Sequence, residues 1–302
     1  MKVIGFDTSN YTTSIAAFDG TDGVNCSRLL PVKPGELGLR QSDAVFSHTK
    51  SLPELSGRLF SNTGEIAAVG VSTRPRAVEG SYMPCFMVGY SHAKLLSDAL
   101  GVPLFEVSHQ QGHVAACLWS AGRLDLMDKP HLAWHLSGGT TELLLVEPEG
   151  KNVKCTKIGG TTDISAGQLI DRTGVMLDLP FPAGKHVDAL SEEAVNTDVF
   201  KVKCPGLEFS LSGVQNKVQQ YAQSNSPAET AAYALRCVCH AVKTATKNAQ
   251  AAYPGLEVVF SGGVASNSML RAVMKDAIFS KPAYSTDNAM GVAVLAHRLM
   301  EG

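Results

Sequence analysis

The 302-residue sequence predicts an α/β protein built from two related halves. Three observations carry this expectation. The opening segment "KVIGFDTSNYTTSIAAFDG" reads as strand, small polar turn, strand. Residues 131–147, "HLAWHLSGGTTELLLVE", repeat that design at an offset of 128, which takes Ser9 to Ser137, Thr12 and Thr13 to Thr140 and Thr141, and Ile15 to Leu143. A third related turn, "EVVFSGGVASN" at 257–267, runs from an apolar strand into Ser-Gly-Gly and then a helix. A fixed offset points to duplication. The plainer reading is that Gly, Ser, Thr and Asn suit all such turns and produce the likeness by themselves.

Helical patterns lie between the strands. Residues 20–50 concentrate Pro, Gly, Ser and charge, and are expected to be a linker or a weakly packed zone. Residues 81–101 form a helical stretch whose stop signal is Gly101 followed by Val-Pro. "SHQQGHVAACLW", residues 108–119, begins where the apolar run "VPLFEV" gives way to a helix. Residues 165–184 begin helical and end in a Pro-rich loop. Residues 227–255 carry Leu235, Val238, Val242, Ala245 and Ala249 at three- and four-residue steps, the core stripe of an amphipathic helix. The chain closes on a turn, "STDNAM", and a final helix.

Composition excludes several classes. The chain is 44% hydrophobic and 18% charged with a net charge of −2, so any nucleic-acid contact must use a local patch. Arg236, His240, Lys243 and Lys247 share one helix face, and Arg74 and Arg76 lie close together; either group could meet RNA phosphate, though a solvated face is the commoner role. Seven scattered cysteines with no C-x-x-C fit reduced thiols and a cytoplasmic protein. No signal peptide precedes the first strand, and no apolar run reaches the roughly 20 residues that span a bilayer. Neither G-x-x-x-x-G-K-[ST] nor G-x-G-x-x-G occurs, which disfavours P-loop and dinucleotide-binding readings.

Candidate chemistry falls in three groups. Gly138-Gly139 and Gly262-Gly263 each follow a strand, where successive backbone N–H groups can nest a phosphate. Ser137, Thr140 and Thr141 add hydroxyls, and Ser9, Asn10 and Thr12 form the matching opening turn. His109 and His113 stand four apart on a helix start, so both imidazoles can reach one ion; the alternative is a polar helix start with a ring bonded to backbone. Asp287 is a candidate third ligand, its ordinary role being a helix N-cap. Asp171, Gly184 and Asp188 stand in "QLIDRTG" and "FPAGKHVDAL"; the plainer roles are a surface pair with Arg172 for Asp171 and, for Gly184 and Asp188, a Pro-Gly turn leading into a capped helix.

Taken in order, the opening D-T-S, H-x-x-x-H, "LSGGTTEL", "IDRTG", "FPAGKHVD", "EFSLSGV", "FSGGVASNSMLR" and "STDNAM" resemble the TsaD family, formerly called the glycoprotease family. The resemblance covers essentially the whole chain. It implies a duplicated actin-like ATPase fold, with an N-terminal lobe over 1–128 joined by the helix 287–302, a C-terminal lobe over 129–286, and an active site in the cleft between them. It implies transfer of a threonylcarbamoyl group from threonylcarbamoyl-adenylate to N6 of the adenosine beside the tRNA anticodon, releasing AMP. His109, His113 and Asp287 match the family's metal ligands, the metal being iron or zinc. Leu136, Ser137, Gly138, Gly139, Thr140, Asp171, Gly184, Asp188 and Asn267 match its nucleotide and substrate contacts, with Gly262 and Gly263 beside them. The implied partners are tRNA, a TsaB-like paralogue and a TsaE-like ATPase, with no membrane.

The chain departs from the family pattern at three places. Asn10-Tyr11 replaces an acidic pair, Gln110-Gln111 replaces Met-Glu, and "STRPRAVEGSY", which holds Arg74 and Arg76, replaces a Gly-Pro-Gly turn. A diverged paralogue with another acceptor, or a scaffold, is therefore the alternative reading. A sugar-kinase-like ATPase has no need of the histidine pair, and a metallopeptidase lacks its H-E-x-x-H glutamate.

Overall fold

The two hairpins close in the same register. In a computed structural model, which describes every residue except 10, 32–38 and 62, β1 (Lys2–Thr8) runs antiparallel to β2 (Thr12–Phe18). Next come β3 (Gly23–Leu29), α1 (Gln41–Phe60), β4 (Ile66–Arg74), α2 (Phe86–Leu100), β5 (Leu104–Ser108) and α3 (His109–Ser120). The second series is β6 (His131–Leu136), β7 (Thr141–Glu149), β8 (Asn152–Thr161), α4 (Ala166–Met176), α5 (Gly184–Ser191), β9 (Glu208–Phe209), α6 (Ser212–Ala222) and α7 (Pro227–Ala252). It ends in β10 (Val258–Ser261), α8 (Ser268–Val273) and β11 (Ile278–Phe279), and α9 (Met290–Met300) closes the chain. The β1–β2 pairs run from Val3↔Phe18 to Thr8↔Thr13, and the β6–β7 pairs from His131↔Val146 to Leu136↔Thr141. Each second pair is the first displaced by 128 residues, so the offset read from the turns is also the offset of the backbone ladder.

The likeness extends to whole sheets. One sheet has the order β3-β2-β1-β4-β5, and the other contains β8-β7-β6-β10-β11 with β9 added at its edge. β4 pairs parallel with β1 and β5, as β10 does with β6 and β11. Two mixed sheets of matching order, each with helices packed on it, make this a duplicated actin-like ATPase fold.

The chain divides into two compact units. The first comprises residues 1–130, 147–155 and 287–302. Its central strands alternate strictly. Ile4, Phe6, Ile15, Ala17, Val69 and Val71 face α1 and α2 in one apolar cluster with Leu52, Leu55, Leu59 and Val88. The other face receives α9: Val3 and Ala68 pack with Ala296, and Gly5 lies under Ala289 and Ala293. By the same alternation Asp7 and Ser72 lie on the α9 face near the ends of their strands. The second unit comprises residues 131–146 and 156–286. Its core sets Trp134, Leu136, Leu143 and Phe260 against the buried stripe of α7, where Leu235, Val238, Val242, Ala245 and Ala249 are all buried as their spacing requires.

Two expectations are corrected. The zone at 20–50 is not a linker over its described part: β3 pairs with β2 along its whole length and α1 begins at Gln41. β3 is an edge strand with Cys26 as its buried residue, and α1 hides its stripe of Ala44, His48, Leu52, Leu55 and Leu59 among polar neighbours, so composition concealed both. Residues 32–38 of that zone lie outside the described residues. The helix expected from 81 begins at Phe86, because Pro84 disfavours helical backbone at Met83; it ends as expected, with Gly101 left-handed at φ 66°. Among the described residues no helix is long and apolar enough to cross a membrane.

Candidate functional site

The first unit gathers a cluster of imidazoles and carboxylates from three distant stretches. α3 starts at once after β5, and its first turn is fastened by a reciprocal cap. Ser108 Oγ accepts from the Gln111 backbone N–H, and Gln111 Oε1 accepts from the Ser108 N–H. Gln111 Nε2 also donates to the Val153 carbonyl at 2.7 Å. The glutamine that departs from the family pattern is therefore a structural residue, and its second bond requires an amide rather than a carboxylate. Gln110 is likewise buried, its N–H bonded to the Pro75 carbonyl.

With the first turn fixed, His109 and His113 face one another edge-on, ring centroids 4.3 Å apart and planes at 79°. Their Nε2 atoms are separated by 2.9 Å. Asp287 Oδ1 lies 3.2 Å from His113 Nε2 and 3.5 Å from His109 Nε2. Asp287 is not an N-cap: α9 starts three residues later, and Asn288 Oδ1 accepts from the Met290 N–H instead. His109 turns its Nδ1 to Asp7 Oδ1 at 3.0 Å. Two nitrogens and an oxygen 2.9–3.5 Å apart fit a common ion, since donors about 2.1 Å from a tetrahedral centre lie about 3.4 Å from each other. His109, His113 and Asp287 form the one His/Cys/Asp/Glu group among the described residues with metal-holding proximity.

The electrostatics fit the same use. Burial opposes charge on His109, but Asp7 and Asp287 outweigh it and raise its pKa. Burial, joined by the neighbouring His109 charge, lowers that of His113. Burial also works against ionising Asp287 and Asp7, yet the histidines hold both below the ordinary carboxylate value. The His109 ring thus lies between two carboxylates, Asp7 at Nδ1 and Asp287 at Nε2, and an ion bound at Nε2 would take the place of the proton there.

Asp7 opens the D-T-S motif, but the candidates drawn from that turn are Ser9, Asn10 and Thr12. Its signal in the sequence is an acid ending the otherwise apolar strand "KVIGFD", where an unpaired charge is costly to bury. Ser9, a candidate from the opening turn, donates to Asp7 Oδ2 at 3.0 Å. Thr12 is buried in β2 opposite Leu29, and Asn10 lies outside the described residues.

The second unit gathers the remaining candidates at the ends of β6 and β10. Ser137 and Thr140 close a turn, Ser137 N–H to Thr140 carbonyl and Thr140 N–H to Ser137 Oγ, leaving Gly138 and Gly139 exposed between them. Ser165 Oγ, the N-cap of α4, donates to the Gly138 carbonyl at 2.6 Å. Gly262 has φ 92°, and a Cβ there would stand 2.2 Å from the Leu136 carbonyl oxygen, so only glycine lets the two turns lie together; Gly263 follows in a short 3-10 turn.

Asp171 does not pair with Arg172, which donates to Gln215; its Oδ1 accepts from the Ala183 N–H, one residue before Gly184 opens α5. Burial raises the Asp171 pKa. Asp188 lies within α5, as a helix after the Pro-Gly turn requires, and its carboxylate takes Asn267 Nδ2, the Ser268 N–H and Ser268 Oγ. Asn267 in turn caps α8 by accepting from the Leu270 N–H. On the α7 face, Arg236 is anchored to the Asp198 carbonyl and lies near Glu229, while Lys243 and Lys247 are exposed.

Comparison with known proteins gives three kinds of match. The family model described as "TsaD: tRNA N6-adenosine threonylcarbamoyltransferase" matches residues 42–294. A protein of that name from Enterococcus faecalis is 32% identical over 71% of this chain and 61% of the relative. Another from Thermus thermophilus is 30% identical over 99% of this chain and 93% of the relative. The chain thus spans about 61% of the length of the first curated relatives it matches. Among solved structures, the T. kodakarensis HypF aligns with all of this chain and 48% of its own at a TM-score of 0.66 and 14% identity. A ROK hexokinase from Thermus thermophilus aligns at 0.53 and 15%, covering all of both chains. At such identities these two structures speak for the fold alone.

Proposed function

The chain belongs to the TsaD family, and on that premise we propose that it transfers a threonylcarbamoyl group from threonylcarbamoyl-adenylate to N6 of the adenosine beside the tRNA anticodon. The observation that carries the reading is the triangle of His109 Nε2, His113 Nε2 and Asp287 Oδ1, three ligand atoms within 3.5 Å of one another on one face. In this reading His109, His113 and Asp287 hold one iron or zinc ion, which supplies Lewis acidity to the carbamoyl carbonyl. The backbone N–H groups of Gly138 and Gly139, with Ser137 and Thr140, hold the phosphate of the adenylate. Leu136, Gly262 and Gly263 shape that turn, and Asp171, Gly184, Asp188 and Asn267 line the rest of the nucleotide site.

The reaction needs little from side chains beyond placement. The N6 amine attacks the carbamoyl carbon, the new C–N bond forms, and the bond to the phosphate oxygen breaks. AMP leaves with that electron pair, and the amine proton passes to solvent. The donor is a mixed anhydride, so its leaving group is already good. The amine is a poor nucleophile, and holding it against the carbonyl supplies most of the advantage. The setting is cytoplasmic, with tRNA, a TsaB-like paralogue and a TsaE-like ATPase as partners and no membrane.

The test is direct. Metal-loaded protein, supplied with threonylcarbamoyl-adenylate, its paralogue and tRNA, is expected to yield the modified nucleoside on mass spectrometry of the digested RNA. His109→Ala and Asp287→Asn are expected to yield none. Equal product from wild type and both variants would end the metal-site reading. Adenylate binding without product would point to a different acceptor, the course that the Asn10-Tyr11 and Arg74–Arg76 departures leave open.

A further inference from the structure

Asp7 has no part in the reading above, yet it is fully buried and bonded to one of its ligands. We propose that Asp7 is a positioning residue: by taking the Nδ1 hydrogen of His109 it fixes the tautomer and plane of that ring and presents Nε2 to the ion. The inference rests on the metal site of the preceding section and concerns which group prepares it.

The geometry argues in steps. A neutral imidazole carries one N–H and one lone pair, and an ionised carboxylate only accepts. His109 Nδ1 is 3.0 Å from Asp7 Oδ1, so the ring hydrogen belongs on Nδ1 and the lone pair on Nε2. Nε2 is the nitrogen that faces His113 Nε2 at 2.9 Å and Asp287 Oδ1 at 3.5 Å. The carboxylate is itself held from both sides. Ser72 Oγ, on the neighbouring strand β4, donates to Oδ1, and Ser9 Oγ donates to Oδ2 at 3.0 Å. Asp7, fully buried, therefore cannot turn away from the ring without abandoning two hydroxyls. Strand alternation puts it there: Val3, Gly5 and Asp7 share the face of β1 that meets α9, the helix that follows Asp287. Carboxylates placed in this way behind a ligating histidine raise its basicity, and their loss typically weakens metal binding about 10–100-fold.

The experiment pairs two measurements. In zinc-loaded wild type labelled with 15N-histidine, His109 is expected to carry its proton on Nδ1 with Nε2 bound to the ion. Proton on Nε2 and metal on Nδ1 would overturn the proposal without any variant. Zinc affinity is then measured by competition with a chromophoric chelator for wild type, Asp7→Asn and Asp287→Asn. Asparagine keeps the shape and strips the charge, so Asp7→Asn is expected to bind zinc about 10–100-fold more weakly than wild type. Wild-type affinity in Asp7→Asn refutes the role of Asp7. Absence of zinc from wild type, or wild-type affinity in Asp287→Asn, refutes the metal site instead. Should Asp7→Asn not fold, the nitrogen spectrum of wild type decides alone.

Discussion

Gly291 of α9 lies directly on Gly112 of α3: a Cβ built at Gly291 would stand 1.8 Å from the Gly112 carbonyl oxygen and 2.7 Å from the Ala116 nitrogen. This backbone-on-backbone crossing lies between the turn carrying Asp287 and the helix carrying His109 and His113. The contact is asymmetric. A Cβ on Gly112 would meet Val292 Cγ2 at 3.3 Å, the end of a side chain, and the Val292 nitrogen at an ordinary 3.8 Å. Gly291→Ala is expected to destabilise the first unit by about 1–3 kcal/mol through overpacking and to weaken metal binding as the helices part. Gly112→Ala should cost less than about 1 kcal/mol, because a methyl tip can shift by the few tenths of an ångström required. Urea unfolding of the two variants checks this, and equal losses would show that the crossing tolerates a side chain on either helix.

If three ligands share one ion, binding it must stabilise the fold. Zinc at about a hundred times its dissociation constant adds roughly 2.7 kcal/mol to the native state. The melting temperature of wild type should rise accordingly on adding zinc and fall back on adding a chelator. His113→Ala removes one of three donors and should abolish the rise. Its buried neutral ring is also lost, so the comparison belongs within each variant, with and without the ion. A rise in His113→Ala as large as in wild type would place the ion elsewhere.

Gln111 tests whether a departure from the family pattern is structural. Its Oε1 completes the cap on α3 and its Nε2 donates to the Val153 carbonyl. Glutamate keeps the first bond and turns the second into a carboxylate facing a carbonyl oxygen. Gln111→Glu is expected to cost about 1–3 kcal/mol, the usual penalty for an unsatisfied buried group, and to recover stability at pH low enough to protonate the new acid. Thermal denaturation across pH reads this. A variant as stable as wild type at neutral pH would mean that the bond to Val153 contributes nothing.

Much of this was legible because its signals are local and periodic. The 128-residue offset between turns recurs as ladder register, and the stripe of α7 is buried where its spacing puts it. The histidine pair is a helix period, readable on its own. What escaped depends on which face of a sheet a residue occupies or on contacts far apart in the chain. Asp7 meets His109 across 102 positions, and nothing near "GFDTS" states which partner awaits it. Gln111 reads as a missing catalytic glutamate until its cap and its bond to Val153 are seen. α1 was masked because six buried positions are spread among polar ones over 20 residues. Asp188 and Asn267 were each selected separately by motif; their mutual hydrogen bond joins α5 to the cap of α8, a long-range pairing that neither motif contains.

The "EFSLSGV" motif carries the last prediction. Asp163 Oδ1 accepts from the N–H groups of Leu211 and Ser212, at 2.8 and 3.2 Å, and Oδ2 accepts from Ser210 Oγ and Ser212 Oγ. α6 has no side-chain cap of its own, so this carboxylate, 48 and 49 residues earlier, supplies it. Burial pushes the Asp163 pKa up, but the two hydroxyls and two amides pull it down to about 2. Because the folded value lies below the unfolded value near 3.8, the cap's contribution is complete above pH 4 and is lost as pH falls toward 2. The group is largely exposed, so the contribution is that of a helix cap, about 1 kcal/mol. Asp163→Asn keeps an acceptor but no charge, and other carboxylates titrate alike in both proteins. The stability gap between wild type and variant, from urea unfolding at pH 5, 4, 3 and 2, should therefore close over the last two steps. A gap that stays constant from pH 5 to 2 would show that the charge of Asp163 has no part in holding α6.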